Sequence, residues 1–331
     1  MSRGEIKLIV FAPTGEGQLN TTVTRHHNFH LIIILVVIRE HSNMGHLVRD
    51  VMSDRPTQEI SALQRFRGWR RRAIYTTGEK FTRRVTRFFS SQSLVPNTPY
   101  IDNSTFPFLQ MFTDNWEKIC DEAREILKNR EAVPAFQEVS PDQNLIATGK
   151  NWRTFFLYGF GEKLPKNCAQ APFTTSLLEK VPNIEISWFS ILAPGYHIPP
   201  HQGVTKGILR AHLGLIIPKN QESCRIRVDN QIKHWKPGEI FVLDDTYEHE
   251  VWNDTEEERV ILIFDFDRPM KWRGRALLRF FIGAMKFTAF YQEPKKNLAA
   301  FEDRFEAATR RNIENMEKLA DAAQTARQEL H

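Results

Sequence analysis

Leu209-Arg210-Ala211-His212-Leu213-Gly214-Leu215 is the stretch that decides the fold. Its leucines and alanine fall at every second position, and a strand's period of two sends them to one face and Arg210 and His212 to the other. Two donor side chains thus share one wall of a largely apolar strand. Downstream, Arg259-Val260-Ile261-Leu262-Ile263-Phe264-Asp265 is rich in β-branched residues and alternates in the same way, with Arg259, Ile261 and Ile263 together. Upstream, Ile184 to Leu192 opens a run of short strands that continues to Phe266, broken by Pro, Gly, Asn and Asp turns. That pattern predicts a mainly β core of the jelly-roll kind.

The polar residues in this core narrow its chemistry. A guanidinium cannot shed its charge, and burying it unpaired costs several kcal/mol, so Arg259 at the head of a buried strand calls for an anion, from the protein or from a ligand. His201 follows Pro199-Pro200, and His249 sits in the acidic turn Asp244-Asp245-Thr246-Tyr247-Glu248 ahead of Val251-Trp252. Neutral imidazole is the usual ligand of Fe, Zn, Cu and Ni. A single strand histidine is more often a hydrogen-bonded structural residue; the combination is the more specific signal.

These segments, with Cys224-Arg-Ile-Arg227, Trp235 and Gly238-Glu239, resemble the aspartyl/asparaginyl β-hydroxylases, Fe(II)- and 2-oxoglutarate-dependent dioxygenases built on a double-stranded β-helix, a jelly-roll or cupin-like barrel. The resemblance implies that His201 and His249 bind the iron. It implies that Ser190 and Arg259 hold the distal carboxylate of 2-oxoglutarate, with Arg210 and His212 near its chelating end and Asp245 beside a metal-bound water. With O2 as cosubstrate, the implied reaction hydroxylates an unactivated C–H bond. Most of the wider superfamily carries an acid two residues after the first histidine, where this chain has Gly203; the aspartyl β-hydroxylases also lack it. The bacterial lipid A 2-hydroxylases of the same family are similar over more of the chain, through Val95-Pro-Asn-Thr-Pro-Tyr-Ile-Asp102, Phe106-Pro107, Asp114-Asn-Trp116 and Val181-Pro-Asn183. The entry motif and the basic flanks favour a lipid A-type acyl chain as substrate, and Gly203 favours peptidyl or free Asp or Asn. Trp152 and Arg153, in a stretch similar to the family's substrate entrance, are expected substrate contacts. Two readings of other classes are a barrel that binds 2-oxoglutarate without catalysis and a basic nucleic-acid adaptor, the latter disfavoured because no nucleic-acid motif accompanies the basic residues.

Composition bounds the rest. The 331 residues suffice for one large domain with appendages, and a net charge of +5 implies mild attraction to anionic surfaces. Cys120, Cys168 and Cys224 are odd in number and widely spaced, which argues for reduced thiols. The aliphatic run Leu31 to Ile38 is far shorter than the roughly 20 residues of a transmembrane helix. No secretory signal pattern is evident, so the expected location is cytoplasmic, with peripheral contact to the inner face of the membrane left open.

Three regions follow: an extension over 1–94, a dioxygenase-like domain over 95–269 and an amphipathic helical region over 270–331. Basic segments over 63–91 and 270–291 interleave Arg and Lys with aromatic residues and are expected to suit an anionic membrane surface. Helices are predicted over 112–129, capped by Asp114, and over 174–180. The 300–331 tail is expected to pack back on the domain or to pair with a second copy.

Overall fold

The computed structural model describes residues 84–329 except 141–145, 148 and 288. The expectations for 1–83, including Leu31 to Ile38 and most of the first basic segment, fall outside the described residues.

Strand formation follows the alternation. The strands are β1 (Tyr100–Ile101), β2 (Trp152–Gly159), β3 (Glu162–Lys163), β4 (Ile184–Leu192), β5 (Tyr196–His201), β6 (Ile208–Ile216), β7 (Cys224–Val228), β8 (Gln231–His234), β9 (Ile240–Leu243), β10 (His249–Asn253) and β11 (Arg259–Asp267). They form a seven-stranded sheet in the order β1-β9-β6-β11-β4-β2-β3 and a four-stranded sheet in the order β5-β10-β7-β8. Every pairing is antiparallel. β4 to β11 cross between the two sheets at each step except the β7–β8 hairpin, which stays in the smaller one, as in a double-stranded β-helix, and β1, β2 and β3 extend the larger one.

The two faces of the larger sheet belong to different cores. Leu209, Ala211, Leu213, Val260, Leu262 and Phe264 pack outward against helices, whereas Trp188, Ile261, Ile263 and Phe241 pack inward against Ile226, Val228 and Val251 of the smaller sheet. A one-residue slip of β6 or β11 would exchange these faces, so the alternation fixes register.

Helix α1 covers 84–92, α2 Trp116–Leu127, α3 Trp272–Met285 and α4 Ala289–Glu329. α2 buries Ile119, Cys120, Ala123 and Ile126, one stripe at helical spacing, with Glu117 in its first turn and Arg124 in its last to suit the macrodipole. The single helix expected over 112–129 is broken. Asn115, with φ −125°, separates Gln110–Thr113 from α2, and Asp114 ends the first turn, its carboxylate accepting from Gln110 Nε2 at 2.7 Å, instead of capping the second. The helix expected over 174–180 is Pro172–Leu178, begun by a proline whose missing N–H costs nothing there.

Ser93 bridges to Met270, and α1 lies on α3, where Phe89, Met270 and Leu278 are buried together with Val85 and Phe88 at the margin. The apolar side of the described part of the first basic segment is therefore covered by protein. The tail packs back at least as far as Phe305, which meets Phe155 edge-on at 4.7 Å, while Glu302 accepts from the Lys166 and Asn167 amides at 2.9 and 3.2 Å. No helix among the described residues is long and apolar enough to cross a membrane.

Candidate active site

Strand register brings the two histidines together across 48 residues of sequence: His249 of β10 pairs directly with His201 of β5. β5 is an edge strand, where Pro199-Pro200 removes no needed donor. The imidazole centroids are 4.1 Å apart. His201 Nδ1 lies 2.8 Å from the Pro199 carbonyl oxygen and His249 Nδ1 3.0 Å from that of Tyr247. A carbonyl accepts only, so each Nδ1 carries the proton and each Nε2 keeps a lone pair. Burial lowers the His201 pKa to about 4 and holds that of His249 well below the ordinary value, so both rings stay neutral. Paired neutral imidazoles, oriented by backbone carbonyls, fit a divalent transition metal.

Among the described residues no group of three or more His, Cys, Asp or Glu side chains converges to complete a ligand set. Gly203 shows why. A Cβ at this position would overlap the Asp245 carboxylate, and the Gly203 amide donates to the Asp245 carbonyl at 2.7 Å. An acid at position 203 has no room, because the Asp245 carboxylate of the β9–β10 turn occupies the space its Cβ would take. Burial pushes the Asp245 carboxyl above its usual range, opposed by Arg210, whose Nη2 is 3.4 Å away. Arg210 is itself clamped by Asp265 through Nε and Nη2 at 2.7 and 2.8 Å and lies over the Trp188 ring at 5.1 Å.

Beyond this pair lies an unsatisfied cluster. Arg259 is 1% exposed, and among the described residues no carboxylate pairs with it. It stacks on Trp235 at 4.9 Å, Nη2 donates to Ser190 Oγ at 3.2 Å, and Nε has no partner. Ser190 Oγ also accepts from Trp152 Nε1 at 3.0 Å, which leaves its own proton to donate elsewhere. Neither ring nitrogen of His212 has a partner, nor has Trp235 Nε1. Burial, then Arg210 and Arg259, keeps His212 neutral, and burial lowers the Arg259 pKa to about 10, still charged near neutrality. Orphaned donors round an uncompensated cation fit a bound carboxylate.

A cavity of about 230 Å³ reaches His201, His249, Arg210, Asp245 and Asp265. Elsewhere its lining is mostly apolar, with Phe136, Trp152, Phe156, Trp188 and Ile208 prominent. Ser190, His212 and Arg259 do not line it. Of the two expected substrate contacts, Trp152 lines the cavity and stacks on Phe136 at 4.1 Å. Arg153 does not: it donates to the Arg130 and Val133 carbonyls at 2.9 and 2.8 Å and pairs with Glu131. Adjacent strand residues point to opposite faces, so Trp152 and Arg153 cannot both enter one pocket. Sequence reasoning missed Asp265 and Trp188; parity with Arg259 on β11 and with Ser190 on β4 was the available signal.

A double-stranded β-helix with paired inward imidazoles and an anion-seeking guanidinium defines a cupin-like barrel with a polar centre. More closely, this chain belongs to the aspartyl/asparaginyl β-hydroxylase family, whose model matches residues 113–269. It is 38% identical over 234 residues to an ornithine lipid ester-linked acyl 2-hydroxylase of Rhizobium tropici, covering 67% of this chain and 83% of that one. It is also 38% identical over 161 residues to the human aspartyl/asparaginyl beta-hydroxylase, covering 47% of this chain but only 20% of that one. Among solved structures it is similar to a Pseudomonas putida prolyl-4-hydroxylase, 16% identical with a TM-score of 0.35 over 49% of this chain and all of that one. The sheet topology, more than this overlap, defines the barrel.

Proposed function

We propose that this protein is an Fe(II)- and 2-oxoglutarate-dependent hydroxylase that acts on an acyl chain of a membrane lipid. The observation that carries the reading is one cavity that joins two neutral, outward-protonated imidazoles to an apolar channel. His201 and His249 would hold the iron, and Arg259 with Ser190 would fix the far carboxylate of the keto acid by charge-assisted hydrogen bonds. Iron held there would supply the oxidising chemistry, O2 giving one oxygen atom to the C–H bond and the other to succinate as 2-oxoglutarate loses CO2. His212, whose ring nitrogens have no protein partner, would donate to the keto acid. Arg210 lies 3.4 Å from Asp245 on the wall of the same cavity, where the Asp245 carboxylate would accept from water held by the iron.

Two further observations support a lipid over a peptide. The 234-residue alignment with the lipid-hydroxylating relative is longer than the matched domain, whereas the alignment with the human relative is close to it in length. The outer side of α3 leaves Trp272 and Phe280 66% and 69% exposed beside Lys271, Arg273 and Arg275, a basic and aromatic face suited to anionic lipid. The relative's name moves the first lipid to test from lipid A to an ornithine lipid.

The test is incubation with Fe(II), 2-oxoglutarate, O2 and ornithine lipid, read by mass spectrometry. We expect an oxygenated acyl chain and matching succinate, both lost in His249→Ala. Oxygenation of an Asp- or Asn-containing peptide with the lipid untouched would transfer the activity to the peptide class; no succinate with any substrate would leave a binding barrel.

A further inference from the structure

The far wall of the cavity is not made by the barrel. Phe281 and Ile282 of α3 and Tyr291, Pro294 and Leu298 of α4 line the same space as His201 and His249, yet all five lie beyond residue 269, where the family match ends. We propose that these two helices form a specificity wall that selects the acyl chains the site accepts. The proposal rests on the lipid reading above and deepens it.

The barrel surface is cut to seat them. A Cβ on Gly207 would clash with Leu278 of α3, and one on Gly159 would come within 3.0 Å of Leu298 of α4. A side chain at Gly207 would force the buried Leu278 methyls to shift, and one at Gly159 would make Leu298 give by a few tenths of an ångström.

Polar clamps hold the rim. Arg279 donates to Glu185 at 2.9 Å and also pairs with Asp267, tying α3 to β4 and β11. On α4, Tyr291 Oη and Lys295 Nζ donate to the two oxygens of Glu162 at 3.0 and 2.7 Å. The wall is therefore fixed in place while the side chains it turns inward stay apolar.

Size agrees with a gauge. About 230 Å³ is below the roughly 300–1,000 Å³ of pockets that enclose a whole drug-sized ligand. The space suits one segment of a single chain with the rest of the lipid outside, so a change of one side chain in the wall alters what fits.

The experiment uses the full chain and a homologous series of saturated fatty acids, with binding followed by tryptophan fluorescence, since Trp152 and Trp188 line the cavity. Phe281→Ala should move the tightest binding to longer chains and Ile282→Trp to shorter ones, each altering the long-to-short preference about tenfold. Ile313→Ala, on an exposed part of α4 away from the cavity, should leave the ranking alone. The same shifts should appear in the chain lengths of oxygenated ornithine lipid. Folding of each variant is checked by its thermal transition, and the wild-type ranking stands as a test should one fail to fold. A wild type indifferent to chain length, or folded variants that keep its ranking, overturns the wall. If fatty acids bind and the ranking shifts as stated but no lipid is oxygenated, the wall stands and the hydroxylase reading fails.

Discussion

Arg259 and Arg268 are equally buried, each 1% exposed, and their surroundings could hardly differ more. Arg268 is saturated: it pairs with Asp244, which also takes Lys206 at 2.7 Å, and its remaining donors reach the carbonyls of Lys206 and Pro96 and the Ser93 hydroxyl. Arg259 has one serine hydroxyl, one indole face and an idle Nε. The first charge holds the domain's exit strand to its entry and to the turn before His249. The second is an unmet demand for an anion. A buried charge that removes its own penalty marks architecture, and one that leaves it standing marks a site.

Removing Asp244 should break the first of these most severely. Asp244→Ala strands two buried cations, and we expect a loss of about 3–5 kcal/mol in chemical denaturation. A loss under about 1 kcal/mol would mean that the cluster does not hold the fold as described.

Glu185 is the intermediate case, paired with Arg279 yet only 5% exposed. Burial, then Asp267, raises its pKa from 4.5 to about 7 against the pull of Arg279. The folded state therefore holds this proton more tightly than the unfolded chain. Its cost to stability is absent below pH 4.5, grows as pH rises and is complete above about 7, reaching on the order of 3 kcal/mol. Glu185→Gln should thus gain on the wild type in melting temperature as pH rises through that window. A gap independent of pH would show that the charge is not penalised.

Gly203 tests whether one carboxylate has displaced another. Gly203→Asp should cost about 1–3 kcal/mol through its collision with Asp245, and adding Asp245→Gly should recover most of that. Additive losses in the double variant would show that the two positions do not share the space.

The face assignments of β6 and β11 were legible because alternation is a local property of a buried strand, so Arg210 with His212, and Arg259 with Ile261 and Ile263, could be read as sharing faces, whereas Ser190 was pointed to only by the resemblance. The meeting of His201 with His249 is a matter of register between strands far apart in sequence, and only the resemblance pointed to it. Gly203 shows the same limit: the sequence displays a missing acid, and only the fold shows Asp245 filling the space beside that glycine. Arg153 was misread although its parity with Trp152 already forbade a shared pocket. The wall from α3 and α4 was hidden, since amphipathic spacing tells that a helix has an apolar side but not what that side encloses.

The central claim is that Arg259 waits for the far carboxylate of 2-oxoglutarate, and calorimetric titration of that acid under anaerobic conditions with Fe(II) tests it most directly. Arg259→Leu should fold as well as the wild type or better, because an unpaired buried charge is gone, while its affinity for 2-oxoglutarate falls by about a hundredfold or more. A folded Arg259→Leu that binds the keto acid as tightly as the wild type would contradict the account.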